Sequence, residues 1–141
     1  MDDQRTPFES HISYALAAAH RKVHQTLTGC LKQHGVQIEA WRIMELLDGD
    51  QRLTMGELAK LALINPPTLS KLVDRMVSDG LVHRQVAAQD HRQVNLLLTD
   101  LGRKRMHQVR EDIEANDRVF ADALDGEDGK LLVSLLSRLA N

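Results

Sequence analysis

The spacing of apolar residues changes at Gly80, and this change constrains the fold more than any other feature of the chain. Before it, Leu69, Leu72/Val73 and Met76/Val77 recur in steps of three and four, the pattern of an amphipathic helix. After it the period is two. Leu81-Val82-His83-Arg84-Gln85-Val86 and Gln93-Val94-Asn95-Leu96-Leu97-Leu98 read as two strands, and the polar stretch from Ala87 to Arg92 makes them a hairpin. Gly80 itself is placed as the glycine that ends the helix.

Helices account for the rest. Apolar positions at Phe8, Ile12, Ala15/Leu16, Ala19, Val23, Leu27 and Leu31 predict one long helix over 8–34, ending at Gly35. Ile38, Trp41, Met44 and Leu47 mark a second, closed by Asp48-Gly49-Asp50. Thr54-Met55-Gly56-Glu57 has the form of a capping box and opens a short helix through Leu58, Leu61 and Ala62. Asn65-Pro66-Pro67 starts the helix that runs to Gly80: Asn is a preferred N-cap, and proline at the first helical position loses no hydrogen bond. Thr99 caps a further long helix through Leu101, Met106, Val109, Ile113 and Phe120, broken at Asp125–Gly129. Leu132, Leu135/Leu136 and Leu139 form the last. The fold class is therefore mainly α with a small β-hairpin. The order helix, helix, capped short helix, tight turn, helix, hairpin is that of a winged helix-turn-helix flanked by long terminal helices, in which the helix after the turn can lie in the major groove of DNA.

Composition narrows the functional classes. At 141 residues the chain is one domain long, and its 43% hydrophobic content is enough for a core. No apolar run approaches the ~20 residues of a membrane span, and the first residues are too polar for a signal peptide. The single cysteine, Cys30, excludes an internal disulfide, and these features together point to a reducing, cytoplasmic setting. Only 3% of residues are aromatic, against a single-strand binder built on stacked bases. Charge is uneven: 8 basic against 5 acidic residues over 53–105, but 4 against 8 over 106–141, a balance suited to one polyanion-facing surface in the middle of the chain. Dinucleotide, P-loop, zinc-protease and nucleophile-elbow motifs are all missing, so neither catalysis nor a cofactor is expected.

Two segments carry a family resemblance. Asp90-His91-Arg92, followed through Val94-Asn95-Leu96-Leu97-Leu98 by Thr99-Asp100-Leu101-Gly102, resembles the wing pattern of the MarR (multiple antibiotic resistance regulator) family, Asp-x-Arg and then Leu-Thr-x-x-Gly. Thr68-Leu69-Ser70-Lys71-Leu72-Val73-Asp74-Arg75-Met76, leading to Gly80-Leu81-Val82 and Arg84, is similar to its recognition helix. The likeness spans residues 8 to 140. It departs at Gln37, where the family often has a Leu-Thr start, and at Pro66-Pro67, where a polar start is usual. The resemblance implies a homodimer in which 8–34 and 100–140 interlock and 36–99 forms the winged unit. It also implies a palindromic operator, repression, and release by a small phenolic or aromatic acid.

The expected DNA contacts are Thr68, Ser70, Lys71 and Arg75 on the recognition helix, opposite its apolar face, with Arg84, Asp90, His91 and Arg92 on the hairpin. Arg84 either leaves the strand on the face of Val82 and Val86 or anchors a phosphate. Arg92 suits the negative potential of a narrow minor groove. Asp90 either holds Arg92 or Arg75 in place or merely starts a turn. Arg103-Lys104-Arg105 reads as a solvated face. For the effector, His11, Tyr14, Arg21 and Trp41 are the expected lining, with ordinary core-edge packing of the two aromatics as the alternative.

Rival readings remain. His20 and His24, four residues apart on one helix, could hold a metal with a third ligand such as His107 or Glu111, though surface or interface histidines explain them as well. Cys30 near His34 could be a peroxide-sensing thiol, or simply a small buried hydrophobe. A winged helix used only for protein contacts is the rival from another class, disfavoured by the basic middle segment.

Overall fold

The computed structural model describes residues 4–49, 52–86 and 94–141. A 3₁₀ turn (Phe8–Ser10) precedes α1 (Ile12–Lys32), α2 (Ile38–Leu47), α3 (Met55–Ala62), α4 (Pro66–Ser78), β1 (Val82–Val86), β2 (Val94–Leu98), α5 (Asp100–Asp122) and α6 (Asp128–Ala140). The strands pair antiparallel with Val82 opposite Leu98, Arg84 opposite Leu96 and Val86 opposite Val94. This is the expected element order.

The first helix differs from expectation. Instead of running from Phe8, it starts at Ile12, because Thr6 and Glu9 cap a separate turn: the Thr6 amide donates to Glu9 Oε2 (2.6 Å) and the Glu9 amide to Thr6 Oγ1 (3.3 Å). His11 is then extended (φ −74°, ψ 138°), which breaks the helical ladder and folds Phe8 back onto the Tyr14 ring at 4.7 Å. Thr6-Pro7-Phe8-Glu9 has the capping-box spacing, so the signal was present in the residues.

The other caps form as the side chains dictate. Thr54 Oγ1 accepts from the Glu57 amide (3.1 Å) and Glu57 Oε1 from the Thr54 amide (3.3 Å). Asn65 Oδ1 accepts from the Thr68 amide at 3.0 Å. Between α3 and α4 the chain turns at Leu63, whose φ of +62° is left-handed. A leucine there costs roughly 1 kcal/mol relative to glycine. The turn is nonetheless closed by the Ile64 amide bonding to the Ala59 carbonyl at 3.0 Å, and by burial of Ile64.

One core lies between the helix-turn-helix, the hairpin, the end of α1 and the first half of α5. It joins Leu31 and Val36 to Ile38, Ile43 and Met44 of α2, Leu58 and Ala62 of α3, and Leu69, Val73 and Met76 of α4, and is closed by Val82, Leu96, Leu98, Met106, Val109 and Ile113. The terminal helices are the opposite case. No residue of α6 is buried, and Leu131, Leu132, Val133, Leu135, Leu136 and Leu139 are all exposed, as are Ile12 (70%) and Val119 (66%).

Candidate nucleic-acid interface

The recognition helix is anchored from below. Leu69, Leu72, Val73 and Met76 are buried, which leaves Thr68, Ser70, Lys71 and Arg75 exposed on the other sides of α4, where the sequence places them. Position rather than flexibility is what this anchoring supplies: a helix with four buried side chains cannot rotate about its axis without opening the core.

The hairpin is set against α4 and α5 by a compact joint. Gly80 turns the chain in the left-handed region (φ +77°). The Thr99 amide donates to the Leu81 carbonyl (3.1 Å), and the Thr99 hydroxyl donates to the Gly80 carbonyl (2.5 Å) while accepting the Gly102 amide (3.0 Å). Gly102 lies so close beneath Leu81 that a Cβ there would sit 2.1 Å from the Leu81 carbonyl oxygen. The Thr-x-x-Gly spacing at the end of β2 is thus a packing requirement.

Arg84 shares the hairpin face of Val82, as one of its two expected readings had it, and its Nη2 pairs with Asp74 Oδ1 on α4. In the protomer its guanidinium is engaged by that carboxylate. Asp90, His91 and Arg92 lie outside the described residues, as does the expected turn over 87–92. In the basic triplet, Arg103 pairs with Asp100 at 3.8 Å and Lys104 is exposed, but Arg105 is half-buried and donates to the His34 carbonyl at 3.0 Å. Arg105 is therefore a tie between α1 and α5, because the α1–α2 turn leaves that carbonyl without a helical partner.

The winged unit is joined to α5 by an ion-pair network that sequence reasoning missed. Arg110 donates to both Glu45 oxygens (3.2 and 2.8 Å) and to Asp48 (3.1 Å), and Trp41 Nε1 donates to Glu45 at 3.1 Å. Two carboxylates raise the already high pKa of Arg110 further. Glu45 and Arg110 are sixty-five positions apart, so no local signal could have paired them.

The expected effector residues occupy separate surroundings in one protomer. His11 precedes α1 and is exposed, Tyr14 packs on Phe8, Arg21 is exposed, and half-buried Trp41 is held by Glu45. A cleft of about 560 Å³ at the α1–α2 corner is lined by other residues, among them His24, Thr28, Lys32, Gln37 and Glu39.

Among the described residues of one protomer, neither sensing alternative finds its expected partners brought together. His34, placed beside Cys30 as an activating imidazolium, instead pairs with Asp112 (2.5 Å). Desolvation and the Asp112 charge push the Cys30 thiol up, against a smaller opposing hydrogen bond from Asn116. A raised pKa means less thiolate at any given pH. Cys30 should accordingly react with iodoacetamide at pH 8 more slowly in the native protein than after unfolding in urea. Equal rates would restore a redox reading. The His20 and His24 rings lie 5.1 Å apart, but among the described residues no three His, Cys, Asp or Glu side chains converge on a metal position.

The MarR family model matches residues 34–93. Over 129 residues the chain is 30% identical to the HTH-type transcriptional regulator FarR of Neisseria gonorrhoeae, covering 92% of this chain and 88% of FarR. The chain belongs to the MarR family. It is a MarR-family transcriptional regulator, and this is a family of winged-helix DNA-binding proteins, not of enzymes. Its fold superposes on NadR in complex with 4-hydroxyphenylacetate with a TM-score of 0.81, at 28% identity and 97% coverage of both chains. The repressor CouR bound to a 23-mer DNA duplex shares the fold at a TM-score of 0.89, with 22% identity and 95% coverage of both. Among the described residues no helix is long and apolar enough to cross a membrane.

Proposed function

We propose that this MarR-family chain is a cytoplasmic, non-catalytic, homodimeric repressor that binds a palindromic operator and leaves it on binding a small phenolic or aromatic carboxylic acid. The observation that carries this reading is the exposed side of α4. It presents Thr68, Ser70, Lys71 and Arg75 from a helix whose opposite side is locked in the core. In the bound state α4 enters the major groove, and the hairpin brings Asp90, His91 and Arg92 to the adjacent minor groove. Residues 36–99 read DNA. The segments 8–34 and 100–140 pair two chains, burying the α6 leucines that one protomer leaves in water.

The effector class follows from chemistry and kinship. NadR, over a quarter identical along nearly its whole length, takes 4-hydroxyphenylacetate. An aromatic acid needs a cation or donors for its carboxylate and flat apolar surfaces for its ring. Arg21 and His11 can supply the first, Tyr14 and Trp41 the second, brought together between the dimer base and the winged unit.

The test is a titration of the duplex upstream of the protein's own gene against a scrambled duplex of equal length. Specific binding is expected, weakened by millimolar 4-hydroxyphenylacetate or salicylate. Lys71→Ala or Arg75→Ala should cost ~1–3 kcal/mol if the side chain reads a base edge, or lower the salt slope by about 1 per site if it touches phosphate. Equal affinity for both duplexes, or no change in affinity or slope in either variant, would remove α4 as the reader.

A further inference from the structure

We infer that Asp74 and Arg84 form a positioning brace that fixes the hairpin against the recognition helix, so that Arg84 assists DNA binding without itself being a phosphate ligand. The inference deepens the DNA-binding reading and rests on it. Three observations converge. Asp74 Oδ1 on α4 meets Arg84 Nη2 on β1, and this is the side-chain hydrogen bond the described residues show between the recognition helix and the hairpin. Arg84 stands in register opposite Leu96, between Val82 and Val86 on the strand, so its stem leaves from the face that packs on the core while its head reaches outward to the helix. Asp74 lies three residues after Lys71 and one before Arg75, among the exposed side chains of α4 and 66% exposed.

That last position is chemically odd for a surface meant for a polyanion. A bare carboxylate there repels phosphate. Paired with Arg84 it is neutralised, and the pair becomes a strut across the angle between groove-reading helix and wing. An exposed pair of this kind contributes little to global stability. Its effect lies in binding: two elements that must enter neighbouring grooves at once hold their relative orientation before DNA arrives, so less ordering entropy is lost on association.

Two roles for Arg84 make opposite predictions for its partner. If Arg84 binds phosphate and Asp74 merely competes for it, Asp74→Ala releases a cation and binding tightens. If the pair is a brace, Asp74→Ala weakens binding although the protein has become more positive. The experiment measures the full-length protein and its Asp74→Ala, Arg84→Ala, double-alanine and charge-swapped (Asp74→Arg with Arg84→Asp) variants. Two readouts are used: amide hydrogen exchange of the hairpin in free protein, and affinity for the duplex upstream of its own gene at two salt concentrations. The expected result is faster hairpin exchange and roughly five- to tenfold weaker binding in each single variant, with salt slope unchanged. The double-alanine variant should be no worse than either single, and the swap should restore hairpin protection. Unchanged exchange in both single variants overturns the brace. So does a salt slope reduced by about 1 per protomer in Arg84→Ala with tighter binding in Asp74→Ala, which would make Arg84 a phosphate ligand. Failure of the parent protein to prefer this duplex would count against the DNA reading alone, since the exchange experiment contains no DNA.

Discussion

Gly102→Ala should unfold the joint between the hairpin and α5. The added Cβ would sit 2.1 Å from the Leu81 carbonyl oxygen and 3.2 Å from a Leu98 methyl. The first contact is with backbone, which cannot rotate aside as a side chain can. Leu81 is also fixed from both ends, since its amide donates to Met76 (2.9 Å) and its carbonyl accepts from Thr99 (3.1 Å). Relief therefore requires α5 to move off the hairpin, breaking the Thr99 bonds and opening the core beside Val82, Leu98 and Met106. Overpacking of this kind costs about 3 kcal/mol, a fall of roughly 10 °C in melting temperature for a chain of this size. Gly56→Ala is the matched control. Gly56 is exposed in the first turn of α3, its nearest neighbour would be 3.9 Å away, and alanine there should stabilise by roughly 0.5–1 kcal/mol. Thermal melts of the two variants should move in opposite directions. A Gly102→Ala protein that melts with the parent would show that the joint yields freely.

Leu135→Asp combined with Leu139→Asp should abolish dimerisation while leaving the winged unit folded. Both side chains are exposed in the protomer, Leu135 by 47% and Leu139 by 58%, so neither belongs to the buried core of its own chain. α6 folds back on α5 by a close approach, with a Cβ on Gly129 placed 3.1 Å from that of Ala121. An apolar groove of about 530 Å³ between α1, α5 and α6 is left open to solvent, lined by Val23, Phe120, Leu124, Leu132 and Val133. Across a two-fold interface each substitution occurs twice, so four carboxylates would enter an apolar contact, at several kcal/mol each if desolvated without partners. Light scattering should report a monomer. Binding to a palindromic duplex should fall at least a hundredfold, because each half-site must then be occupied independently. A dimer with parental affinity would place the interface elsewhere.

How far the residues alone could carry this protein depends on the range of the interaction concerned. Capping is local: Thr54 with Glu57, Asn65 with Thr68 and Thr99 with Gly102 lie three residues apart, so the starts of α3, α4 and α5 were readable to the residue. Periodicity is local as well, and it separated the buried from the exposed side of α4 and located the hairpin. The same rule applied to Thr6 and Glu9 would have caught the break before α1, where a continuous apolar pattern concealed it. The exposed leucines of α6 were legible for a related reason, since a stripe with nothing in its own chain to cover it is a property of composition and spacing.

Tertiary structure decided what depends on residues far apart in the chain. Arg110 meets Glu45, Arg105 meets the His34 carbonyl, and His34 meets Asp112, and these partners set the winged unit on α5. Cys30 changed meaning for this reason. Four residues from His34, on what the apolar period reads as one helix, it resembled an activated thiol. His34 instead lies past the end of α1 and hydrogen-bonds to Asp112 of α5, and the Asp112 charge helps push the thiol pKa up. Arg84, expected either on the face of Val82 and Val86 or on a phosphate, has a partner that spacing could not name, a carboxylate on α4. Local order follows from hydrogen bonds and apolar periods within a turn or two, which a sequence displays directly. Charge pairing follows from which surfaces the core brings within about 4 Å of each other, and only the folded chain determines that.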